Sequence, residues 1–80
     1  MLKVFKYYFA WTDAAQCGDR FAGLIGYQPK AFSDGANILW VIGFNFDTES
    51  AAHSAANNML RHITEIDQYG RIFFSDGVVL

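Results

Sequence analysis

The stretch TDAAQCGDRFAGLI, Thr12 to Ile25, decides the fold, because it follows a strand-like run and must either continue the sheet or cross back over it. Ala14, Cys17, Gly18, Phe21, Leu24 and Ile25 recur at helical spacing. Thr12 and Asp13 are residues that cap helices, and Gln16 stands three positions after Asp13, as in a capping box. The spacing predicts a helix from Asp13 to Ile25, ended by Gly26. Upstream, Leu2 to Trp11 alternates and is rich in β-formers, which predicts one strand. Downstream, Gln28 to Phe32 reads as a weak strand, since Pro29 suits only an edge or a strand start. The turn Ser33-Asp34-Gly35 then joins it as a hairpin to ANILWVIGFNF, residues 36–46.

Asp47 and Thr48 cap a second predicted helix, TESAAHSAANNMLRHI, with an apolar stripe of Ala52, Ala55, Ala56, Met59 and Ile63. Arg71 to Phe74 forms a last strand, and Asp76-Gly77 turns before Val78-Val79-Leu80. Whether Ile63 to Tyr69 continues the helix or forms a strand stays open. The quartet Phe-Ser-Asp-Gly occurs at Phe32 to Gly35 and again at Phe74 to Gly77, and reads as repeated turn chemistry. The element order is then βαββαβ. That is the α+β, ferredoxin-like pattern, an antiparallel sheet with two helices on one face.

Both predicted helices present small residues: Ala14, Cys17 and Gly18 on the first, Ala52, Ala55 and Ala56 on the second. Interior packing density then calls for large side chains on the sheet surface beneath them. The expected inward set is Phe5, Tyr7, Phe9 and Trp11 on the first strand, with Ile38, Trp40, Ile42, Phe44 and Phe46 on the third. Val4, Lys6, Tyr8, Leu39, Val41 and Gly43 fall on the opposite, open face. The first two, with Tyr8, Leu39 and Val41, make a candidate homodimer face.

Eighty residues, 52% hydrophobic and 18% aromatic, make one folded domain, 1–80, rather than a disordered tail. A single cysteine, Cys17, forms no disulfide within the chain and fits a reducing cytosol. The longest apolar run, Ile38 to Phe44, is too short for a membrane span of about 20 residues. The formal charge of -2 is unevenly placed. Residues 1–40 carry four bases against three acids, whereas residues 41–80 carry two bases, Arg61 and Arg71, against five acids: Asp47, Glu49, Glu65, Asp67 and Asp76. That balance argues against direct binding of nucleic acid and for a basic partner surface, with the five acids as the candidate contact.

Catalytic, cofactor and metal signatures are not found. His53 and His62 lie nine residues apart on one helix and point to opposite sides, so they do not clasp one ion. Cys17 on a predicted core stripe is a buried, inert thiol. Gly18, Gly23 and Gly26 make no phosphate-binding fingerprint. Asp47 and Glu49 suit a helix start. Glu65 and Asp67 project to one side about 6.6 Å apart if their segment is extended.

Over its whole length the chain resembles the small anti-CRISPR proteins of phages, on MLKVFKYYFAWTDAAQCGDRFAGLIGY and SAANNMLRHITEIDQYGRIFF. It is closest in character to inhibitors of type I surveillance complexes, type I-C among them. The resemblance implies a non-enzymatic inhibitor in the cytoplasm of an infected bacterial host. Such a protein docks on a Cascade-type complex, often on the large subunit that reads the PAM, and blocks target DNA. Asp47, Glu49, Glu65, Asp67 and Asp76 would then face Lys and Arg side chains of the DNA channel. The alternative is a small dimeric ferredoxin-like enzyme of the monooxygenase or isomerase type, acting on a small apolar compound, with Tyr7, Trp40 and His62 around its pocket. A structural protein of a phage particle is a third reading.

Overall fold

The computed structural model describes residues 1–30 and 38–79, with side chains for all of these except 38–41. The element order is β1 (Leu2–Val4), β2 (Tyr8–Cys17), β3 (Arg20–Pro29), β4 (Ile38–Phe46), α1 (Glu49–His62), β5 (Ile63–Ile66) and β6 (Ile72–Phe74). Strands β1 to β4 form one antiparallel sheet in chain order, and β5 pairs with β6 in a second, two-stranded sheet. The α+β class and the antiparallel sheet are as expected. Among the described residues the order is ββββαββ in place of βαββαβ, and one helix rather than two covers the sheet.

The helix expected over Asp13 to Ile25 is a long hairpin. Cys17 pairs with Arg20 across Gly18-Asp19, and the ladder continues to Tyr8 and Pro29. Gly18 has φ 65, and no residue other than glycine has a positive φ among the described residues. The turn is therefore the type with glycine at its first central position, whose twist matches that of the flanking strands. The helical spacing of Ala14, Cys17 and Phe21 lost to a tight turn that lets ten-residue strands satisfy each other's backbone groups. Cys17, expected inside, sits exposed at the hairpin tip.

A second turn divides the strand expected over Leu2 to Trp11. The Phe5 amide donates to the Tyr8 carbonyl at 2.8 Å, closing a two-residue loop at Lys6-Tyr7. This loop changes which residues face the helix. Across it Phe5 and Tyr8 point to the same side, whereas unbroken alternation would pair Phe5 with Tyr7. Phe5, Tyr8, Ala10 and Thr12 are accordingly buried, while Tyr7 and Phe9 are exposed and Trp11 is half-buried. Of the ring set expected inside, Phe5 is there and Tyr7 and Phe9 are not. On β4, Ile42 packs on the core, whereas Phe44 is 69% exposed. The side chains of Ile38 and Trp40, and the turn expected at Ser33 to Gly35, lie outside the described residues.

Helix α1 begins where expected. Thr48 Oγ1 accepts from the Ala51 amide at 3.0 Å, and Glu49 in the first turn complements the helix dipole. Its inward residues are Ala52, Ala56 and Leu60, all fully buried. They allow a close approach: a Cβ on Gly23 would stand 2.7 Å from the Ala52 carbonyl oxygen. At the other end, Lys3 Nζ reaches across from β1 to donate to the carbonyls of Ile63 at 2.6 Å and Leu60 at 3.4 Å, which caps the helix C-terminus with a cation.

The chain leaves α1 directly as strand, so Ile63 to Ile66 is extended. Ile63, Ile66 and Ile72 close the end of the core formed by Phe5, Tyr8, Ala10, Ile25, Tyr27, Ala56 and Leu60. Tyr8 and Tyr27 meet edge to face, with ring centres 5.8 Å apart. The turn Phe74 to Gly77 is present, with the Gly77 amide on the Phe74 carbonyl at 3.0 Å and φ 90 at Gly77.

Candidate functional site

Three of the five acids proposed as a contact are engaged within the chain. Asp67 is almost wholly buried and organises the turn between β5 and β6. Its Oδ1 accepts from the amides of Tyr69 and Arg71, each at 2.9 Å, and its Oδ2 accepts from Arg71 Nε at 2.7 Å. Burial pushes this carboxyl up, but the Arg71 amide and guanidinium and the Tyr69 amide outweigh it and hold the group below its usual range. Asp47 forms an exposed ion pair with Arg20 from the hairpin tip. Asp76 Oδ1 accepts from the Val78 amide at 3.0 Å within its turn, and the residue is exposed.

Glu49 and Glu65 differ. Both are exposed, and neither carboxylate has an ion pair or hydrogen bond among the described residues. They stand near opposite ends of α1, whose 14 residues span about 21 Å. Glu65 and Asp67 lie on an extended segment as expected, but the Asp67 carboxylate turns back into its own loop. The acids therefore form a dispersed set rather than one patch. Glu49, Asp76 and Glu65 are the members open to a partner.

The residues named as a dimer face also separate. Val4 is 57% exposed on the side of the sheet away from α1. Tyr8 is in the core on the helix side, because the Lys6-Tyr7 turn reverses its parity. Lys6 lies in that turn, with its ammonium 5.3 Å from the Tyr7 ring centre. Leu39 and Val41 are register partners of Gly26 and Leu24.

Val4 shares the outer face of the sheet with Leu2, Phe9, Trp11 and Leu24. Register pairs Leu2 with Trp11 and Val4 with Phe9, which places these four together. Leu2 is 67% exposed and Phe9 is 40% exposed. The Trp11 indole lies across Gly26, occupying the space where any side chain on Gly26 would stand. Parity alone would have found this face, had the turn at Lys6-Tyr7 been recognised.

A partly buried polar cluster joins the sheet to the helix, and sequence reasoning missed it. Thr12 Oγ1 accepts from the Met1 ammonium at 3.0 Å and donates to Asn57 Oδ1 at 2.6 Å. His53 Nε2 lies 3.1 Å from the same oxygen. The single hydroxyl proton is used on Asn57, so His53 must donate from Nε2–H. The available signal was a threonine at an inward position opposite two polar residues four apart on a helix.

The enzyme reading named Tyr7, Trp40 and His62. His62 lines an open cavity of about 320 Å³ with Met59, Phe74, Ser75 and Asp76. Tyr7 lies in the β1–β2 turn and does not line it, and the Trp40 side chain is outside the described residues. His62 Nδ1 is 3.4 Å from Ser75 Oγ, while Asp76 is hydrogen-bonded to Val78. Among the described residues, no three His, Cys, Asp or Glu side chains gather as metal ligands, and no helix is long and apolar enough to cross a membrane. Comparison with family models, with curated proteins and with solved structures returns no match.

Proposed function

We propose that this chain is a non-enzymatic binding protein that docks on a type I CRISPR surveillance complex, at its PAM-reading large subunit, and blocks target DNA. In this reading it acts in the cytoplasm of an infected bacterium. The observation that supports it is the state of Glu49 and Glu65: two exposed carboxylates without a partner among the described residues, flanking a helix whose outward residues Ser50, Ser54 and Asn58 are polar. A lysine- or arginine-lined DNA channel supplies the charge they lack. Asp76 extends the contact. Asp67 serves the fold instead, and Asp47 is partly neutralised by Arg20.

The test is capture of purified type I surveillance complexes by the tagged protein, with target DNA as competitor. The reading expects DNA and protein to exclude each other. It also expects capture to weaken with added salt, and with Glu49→Lys together with Glu65→Lys. Undiminished capture by the double charge reversal sinks the acidic contact. Simultaneous binding of DNA and protein sinks the blocking mechanism.

A further inference from the structure

Among the described residues, charge on the outer face of the four-stranded sheet stands at its two ends. At one end the Lys30 amide donates to the Tyr7 carbonyl at 2.9 Å, and the Lys30 ammonium sits 5.6 Å from the Phe9 ring centre, on the outer side. At the other end Asp13 shares the parity of Phe9 and Trp11 and is exposed, while Arg20, opposite Cys17 beyond it, is already paired with Asp47. Between them lie the uncharged Leu2, Val4, Phe9 and Trp11. Lys30 stands beside Tyr7 in the ladder, six residues from Asp13, or about 20 Å along the strand. The midpoint falls between Phe9 and Trp11.

We infer that this face pairs with the same face of a second copy, about a two-fold axis that crosses β2 at right angles between Phe9 and Trp11. Such an axis reverses strand direction. It lays Lys30 of each protomer against Asp13 of the other and stacks the apolar centre on itself. An axis parallel to the strands would instead set Lys30 against Lys30, so the charge pattern selects the first arrangement. Strands of 3, 10, 10 and 9 residues, about 4.8 Å apart and rising about 3.3 Å per residue, give a face of roughly 500 Å². That is below the roughly 800 Å² per partner of a standard stable interface, so the dimer is reversible and grows with concentration. The inference uses a surface opposite α1 and does not depend on the surveillance-complex reading.

Sedimentation equilibrium between about 5 and 500 μM tests it. The expected result is a mass rising from the 9.0 kDa of one chain toward twice that value. Asp13→Lys and Lys30→Asp should each weaken the dimer about tenfold, because two symmetry-related contacts turn repulsive, and the double exchange should restore it. Phe9→Ser should leave a monomer. All three substituted positions are exposed, and far-UV circular dichroism checks that each variant is folded. A monomer throughout the range overturns the inference, as does a dimer indifferent to these substitutions. So does an oligothymidylate that binds the monomer and quenches its tryptophans in a Phe9-dependent way, which would make the face a base-stacking surface.

Discussion

Replacing Gly23 by alanine probes the closest approach between helix and sheet. The new Cβ would stand 2.7 Å from the Ala52 carbonyl oxygen and 3.2 Å from Ile42 Cγ1, where ordinary contact begins near 3.4 Å. The first neighbour is helix backbone, so α1 must retreat by the missing distance and loosen the buried Ala52 and Ala56. Overpacking of this kind costs about 1–3 kcal/mol, and the backbone neighbour puts Gly23→Ala in the upper half of that range. Relief of the glycine's chain entropy returns about 0.5–1 kcal/mol, leaving a loss of about 2 kcal/mol. An 80-residue chain has roughly 4–12 kcal/mol in total. The expected fall in Tm, by thermal circular dichroism, is about 8–16 °C. Gly26→Ala is the contrast, because the nearest atoms its Cβ meets belong to the Trp11 indole, which can swing off the open face. It should cost less and shift the tryptophan emission. A Gly23→Ala protein melting within about 2 °C of the parent would refute the placement of α1 on β3.

The buried hydroxyl and the two perturbed acids give further expectations. Thr12→Val keeps the shape of the side chain but strands Asn57 and His53, and should cost about 1–3 kcal/mol in urea unfolding. The Asp67 carboxyl is held below its unfolded value, so its contribution is present above that value and is lost as pH falls through the lower, folded one. Asp67→Asn should therefore flatten the acid limb of a stability-versus-pH curve and lower the plateau at neutral pH. Burial, with Tyr8 nearby, raises the Tyr27 hydroxyl above 10.0. The unfolded chain then ionises first, and stability should fall as pH climbs from about 10 toward the raised value. Tyr27→Phe should remove that loss, which ultraviolet difference titration of the tyrosines would follow directly.

The helix α1 was legible because its signals agree: Thr48 caps, and Ala52 and Ala56 line the inner side. Two turns made the rest hard to read. Gly18-Asp19 is a short hairpin turn, yet the alanines and apolar residues around it also fit a helix, and pairing with β3 and β4 decided between them. Lys6-Tyr7 carries no glycine, proline or asparagine, so nothing local marks it, and missing it assigned every ring on β2 to the wrong side. Among the acids, charge was visible in the chain but partners were not. Only the fold separates Asp67, tied to Arg71, from Glu65 two residues before it.

The facing of β2 is the claim on which the surfaces depend, and nuclear Overhauser contacts from the helix alanines measure it directly. The methyl groups of Ala52 and Ala56 should show contacts to the inner face, to Gly23 Hα for Ala52 and to Ile25 or the Thr12 methyl along the same side, with none to the rings of Phe9 and Trp11. Contacts from either alanine to the Phe9 or Trp11 ring would reverse the sheet and remove the outer face described above.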